Sequence, residues 1–124
     1  MAKYLLIQHY ESGAGCDVPM GAWAPEDIRA HIDYQQALNA DLTAAGELVE
    51  AQGVAQDAKR VVSDGTTSSV APASGDRLLA GYRVVDVETE QRAVEIAVRT
   101  SAAPGPGGVP IQQPIELRRI MVAP

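Results

Sequence analysis

The sequence predicts a single α+β domain in which two helices cover one face of an antiparallel sheet. The length of 124 residues suits one core, because domains of about 100–150 residues are the common size and two cores would be hard to fill. With 46% apolar and 21% charged residues, the chain has the composition of a globular rather than a disordered protein. Short apolar runs alternate with two amphipathic stretches in the order β-α-β-β-α-β, with a short extra strand or two in the middle.

Residues 3–9, Lys3-Tyr4-Leu5-Leu6-Ile7-Gln8-His9, are apolar in the centre and are followed by Ser12-Gly13-Ala14-Gly15, which reads as an interior strand ending in a loop. Residues 25–45 open with Pro25 at a first helical position and with Glu26 and Asp27 where the helix dipole favours acids. Ile28, Ile32, Leu38, Leu42 and Ala45 recur at helical spacing, and Gly46 supplies the stop. Residues 47–53 alternate loosely. Residues 59–63 and 66–71 flank the Asp64-Gly65 turn and read as a hairpin.

After a loop at Pro72-Ala73-Ser74-Gly75-Asp76, residues 79–87 form a strand carrying Tyr82, Val84 and Val85. Thr89 caps a second helix over 90–99, with Ala93, Ile96, Ala97 and Thr100 on one stripe. A Pro/Gly-rich loop spans 101–114, and residues 115–122 close the chain as a strand. This is the split βαβ order of ferredoxin-like domains. Strand 1 places Tyr4 and Leu6 on one side and Leu5 and Ile7 on the other, so the face away from the helices is also apolar, and a homodimer that stacks two sheets would bury it.

Composition also narrows function. The formal charge of -6 and the ten Lys plus Arg argue against nucleic acid, since the nearest candidate for a basic stripe, Arg118-Arg119, puts one Arg on each face of a strand. The apolar run at Tyr4-Leu5-Leu6-Ile7 is too short for a membrane span or a signal-peptide core. The single cysteine, Cys16, excludes an internal disulfide and offers no metal-ligand spacing, so a cytoplasmic setting is expected. Cys16 reads as an incidental loop thiol. The Gly13-Ala14-Gly15 run lacks the third glycine of a dinucleotide fingerprint, and no cofactor or metal is expected.

The candidate chemistry lies on helix 1. His31 and Gln35 are four residues apart and fall mid-stripe, so both point toward the sheet. A buried polar group without a partner costs roughly 1–3 kcal/mol. Each therefore either finds an internal hydrogen bond or lines a polar pocket, with His31 as acid or base and Gln35 as the positioning donor. His9 at the end of strand 1 is a second candidate base. Trp23 and Tyr34 can supply an aromatic wall, and Tyr82 and Thr100 complete the substrate-binding candidates. Arg77 and Arg83 can bind a carboxylate, although an exposed Arg is the ordinary case.

Four segments, in their order and spacing, look like a known pattern: Lys3-Tyr4-Leu5-Leu6-Ile7, Leu42-Thr43-Ala44-Ala45-Gly46-Glu47-Leu48, Gly81-Tyr82-Arg83-Val84-Val85-Asp86-Val87 and Ile115-Glu116-Leu117-Arg118. Over nearly its whole length the chain resembles the YCII-related proteins, in particular the DGPF-type branch. The stretch expected to carry that branch's signature reads Val70-Ala71-Pro72-Ala73-Ser74-Gly75-Asp76 instead. The resemblance implies a dimeric α+β barrel. Some YCII-related proteins are similar to lyases that pair a His on helix 1 with an Asp near the end of helix 2, and those positions fall on Gln35 and Thr100, neither of which titrates. Two functions follow as expectations. One is a cofactor-independent lyase, isomerase or cyclase of bacterial specialised metabolism acting on a small organic molecule. The other is a non-catalytic binding or regulatory protein that has lost the dyad.

Overall fold

The computed structural model describes residues 1–10, 18–55, 57–73 and 78–123; Cys16 and Arg77 lie outside them. Among the described residues six strands and two α-helices run β1 (Ala2–Tyr10), α1 (Pro25–Ala44), β2 (Leu48–Gly53), β3 (Lys59–Ser63), β4 (Ser68–Pro72), β5 (Leu78–Val87), α2 (Glu90–Ser101) and β6 (Ile115–Arg119). The main sheet has the order β2-β5-β1-β6, and every neighbouring pair is antiparallel. β5 thus separates β1 from β2, and β1 separates β5 from β6, which is the ferredoxin-like split βαβ arrangement.

The expected helix boundaries have local causes. Pro25 occupies the first turn of α1, with Glu26 and Asp27 beside it. At the other end Gly46 adopts φ 72°, and Glu47 N–H bonds to Leu42 O at 2.8 Å while Gly46 N–H bonds to Thr43 O at 3.0 Å. This paired 6→1 and 5→2 closure requires the left-handed backbone that glycine adopts without strain. Thr89 caps α2 by accepting from Arg92 N–H at 3.1 Å. The last strand ends at Arg119 rather than at 122; its ladder with β1 closes at the Tyr4–Arg119 pair, followed by one more bond from Ile120 N–H to Lys3 O at 2.9 Å.

The core lies between the helices and one sheet face. Tyr4 and Leu6 of β1, Val85 and Val87 of β5, Leu38 and Leu42 of α1, and Ala93 and Ile96 of α2 are all buried together. Alternation continues the same face of β5 to Arg83 and Gly81, and that of β1 to Gln8. The layer between helices and sheet therefore grades from a dry apolar core into a polar end. On α1 the gradation is the same, from Leu42 and Leu38 to Gln35 and His31. β3 and β4 pair only with each other in a separate hairpin whose residues are all exposed. Its Asp64 turn matches the expectation, and the returning strand starts at Ser68 because Thr66 and Thr67 N–H groups are taken by Asp64 Oδ1.

Candidate active site between helix 1 and the sheet

At the polar end of the layer the sheet and α1 diverge, leaving an open cleft of about 980 Å³. That volume is at the upper end of ordinary small-molecule sites. β1, β2 and β5 form the floor, α1 one wall, and Trp23 with Ile111 the ends. Trp23 is held by its indole N–H, which donates to Val18 O at 2.8 Å.

His31 projects from α1 into this cleft and is only 8% exposed. Its Nδ1 lies 3.0 Å from Pro104 O. A carbonyl only accepts, so Nδ1 carries the hydrogen and, in the neutral ring, Nε2 keeps the lone pair. Pro104 is set in place by a tight loop: it bridges to Pro110, and Gly105 N–H bonds to Val109 O at 2.7 Å. Among the described residues the one buried side-chain polar atom without a partner is Asp86 Oδ1. His31 Nε2 is therefore not sealed in the core and meets the cleft. Burial pushes the imidazole below its ordinary pKa of 6.5; the Pro104 bond acts in the opposite sense, and the charge on Arg83 adds to the lowering. The Trp23 ring packs edge-on against it, 5.5 Å between centroids at 78°.

Arg83 is the residue for which the ordinary expectation fails. It is 5% exposed rather than solvated, because it stands on the helix-facing side of β5 in line with Val85 and Val87. Its Nε donates to Asn39 Oδ1 at 2.8 Å, Nη1 to Thr100 Oγ1 at 3.2 Å, and Nη2 to both the backbone carbonyl and the side-chain Oε1 of Gln35. Burial pulls the guanidinium down to about 10, with Tyr34 raising it slightly and Arg99 lowering it; it remains charged at neutral pH.

Gln35 and Thr100, the positions that the resemblance singles out, thus meet around one guanidinium. Gln35 Oε1 is occupied by Arg83, which leaves its amide N–H groups to face the cleft. Thr100 is 1% exposed and donates to Ile96 O at 2.9 Å, so it supports Arg83 from behind and does not line the cleft. Asn39 continues the line of His31 and Gln35 by four residues, a signal present in the sequence that helical periodicity could have found.

The other candidates separate. His9 lines the cleft, and its backbone carbonyl accepts from Gln113 Nε2 at 2.8 Å. Tyr34 does not: its hydroxyl donates to Arg99 O at 2.7 Å and ties α1 to α2. Tyr82 borders the cleft through β5, yet it alternates with Arg83, so its side chain leaves on the opposite sheet face. There its phenol meets Glu50, which raises its pKa.

Among the described residues no group of three or more His, Cys, Asp or Glu converges as metal ligands would, and no helix is long and apolar enough to cross a membrane. The sequence matches no family model and no curated protein.

Proposed function

We propose that this chain is a cofactor-independent acid/base enzyme of the lyase, isomerase or cyclase type, acting on a small organic molecule in the cleft between α1 and the sheet. The observation that supports it best is the state of His31. A backbone carbonyl fixes the tautomer, burial keeps the ring neutral, and the free Nε2 meets a cleft large enough for a substrate. This is the arrangement a general base needs, because the ring is both oriented and unprotonated before substrate arrives. The Gln35 amide, one turn along the helix, is placed to hold a carbonyl or hydroxyl oxygen of the same molecule. The resemblance to YCII-related proteins points the same way, with His31 taking over a role for which Gln35 is unsuited.

The working unit in this proposal is a cytoplasmic homodimer. Leu5, Ile7, Tyr82 and Val84 share the sheet face that neither helix covers, and a second copy stacked there would bury it.

The test is proton exchange at carbon. A panel of ketones, lactones and unsaturated esters is incubated with the protein in D₂O, and loss of each C–H signal is followed by ¹H NMR. At least one compound should exchange faster with the wild type, and His31→Gln should slow that exchange by a factor of about 10²–10⁴. Exchange at the wild-type rate in H31Q removes His31 as the base.

A second reading is binding without turnover. It is favoured by the two dyad positions themselves: Gln35 and Thr100 do not titrate, and both are engaged in holding Arg83. On that reading the cleft binds its ligand and accelerates no exchange.

A further inference from the structure

The cleft has an uneven distribution of charge. The chain carries 16 acidic residues, yet none of the described residues lining the cleft is Asp or Glu. Among the described lining residues the one formal charge belongs to Arg83. Its hydrogen-bond partners are an amide, a hydroxyl, a second amide and a backbone carbonyl, all neutral. Four of its five N–H groups are used in this way, and one on Nη1 is left without a protein acceptor among the described residues.

A guanidinium removed from water is normally held by a carboxylate, because neutral acceptors replace only part of the lost hydration. Nothing of that kind approaches Arg83 from the described residues. The neighbouring groups on the cleft wall are amides, Gln8, Gln35, Gln36, Asn39 and Gln113, which suit an oxygen-rich molecule. At the mouth stand Val18, Met20 and Ile32, large apolar side chains left substantially exposed.

From this arrangement we infer that the cleft takes a small organic carboxylate, with the carboxylate set against Arg83 and Gln35, the apolar body against Trp23 and Ile32, and the reacting carbon toward His31. The inference deepens the acid/base reading by naming its substrate class. Arg83 supplies a cation with no carboxylate partner among the described residues, and its remaining Nη1 N–H can donate one charge-assisted bond to a carboxylate oxygen. The arrangement also assigns Arg83 a consequence for chemistry. A cation close to the substrate stabilises negative charge that develops when His31 removes a proton from a neighbouring carbon.

The test uses two probes of the same shape, cyclohexanecarboxylate and cyclohexanecarboxamide, titrated at neutral pH and read by the fluorescence of Trp23, the chain's one tryptophan. The wild type should bind the carboxylate at least tenfold more tightly than the carboxamide. In Arg83→Gln that preference should disappear, and in Arg83→Lys part of it should remain. Equal affinity of the wild type for the two probes, or a full preference in R83Q, overturns the assignment. Inorganic phosphate is titrated alongside; if it binds as tightly as the organic acid, the site is one for inorganic or phosphoryl anions and the carboxylate assignment fails.

If R83Q does not fold, the wild type still decides. The Arg83 Nε–H resonance, identified by its absence in R83K, should move on adding the carboxylate and stay put with the carboxamide. No movement with either probe overturns the inference. The same titration on H31Q separates it from the acid/base reading. Persistent carboxylate preference in H31Q, with proton exchange unchanged, removes the base and leaves the anion site. Exchange that depends on His31, in a protein that ignores charge on the probe, removes the anion site and leaves the base.

Discussion

His31 couples the stability of the fold to its chemistry through one proton. The folded ring has a lowered pKa, so between that value and the unfolded 6.5 the unfolded chain binds more protons than the folded one. Its contribution to stability is therefore complete above 6.5 and is lost as the pH falls from there through the folded value. Urea midpoints of wild type and H31Q measured from pH 8 to pH 4.5 should show the wild type losing more stability on the acid side; parallel curves would remove this linkage. For activity the sign is the same. A base that stays deprotonated below 6.5 gives a pH–rate profile whose acid limb lies on the acid side of an ordinary histidine.

At the scale of elements, the cleft depends on how closely β2 and β5 approach beside it. A Cβ on Gly81 would fall 2.8 Å from the Gln52 backbone carbonyl and 3.3 Å from Gln8 Oε1. The first neighbour is backbone of an adjacent strand and has no side-chain freedom to yield. Gly81→Ala should accordingly cost about 1–3 kcal/mol, the usual range for overpacking, with the loss visible as a lower urea midpoint at an unchanged slope. Equal stability would mean that β2 can move away. α1 and α2 are tied together on the other side by Tyr34 to Arg99 O and by Arg99 to Asp41 at 2.9 Å. Glu47, at the entry to β2, is bidentate to Arg92 of α2, which holds its carboxyl below the usual range.

At the scale of the whole molecule, the sheet has one face with helices and one without. Val84 sits in the uncovered face, between Leu5 on β1 and Glu50 on β2. Val84→Arg places a charge in any sheet-on-sheet interface, while Glu50 gives it a partner within the monomer. Light scattering on the wild type should give twice the chain mass of 13.1 kDa, and V84R should give the single-chain mass with its circular dichroism intact. A wild type that elutes as a single chain would leave the sheet face without its proposed cover. The β3–β4 hairpin, with Val61, Val62 and Val70 exposed, stands apart from the main sheet.

The sequence by itself determined the order of elements and most of their ends, because the physics there is local. Proline at a first turn, a glycine at a left-handed stop and a threonine cap each act within a few residues. The same holds for His31 and Gln35, whose shared face follows from helical spacing alone. Tyr34 reads as a cleft residue from sequence because nothing local says whether its hydroxyl will meet solvent or the end of α2. Only the tertiary structure decided which nitrogen of His31 is free, since the carbonyl that sets it belongs to Pro104, 73 positions along the chain. It also decided that Arg83 is buried, through acceptors 44 to 48 positions away on α1. A hydrogen-bond partner or a missing counter-charge is a property of atoms brought together by the fold, and no local pattern carries it.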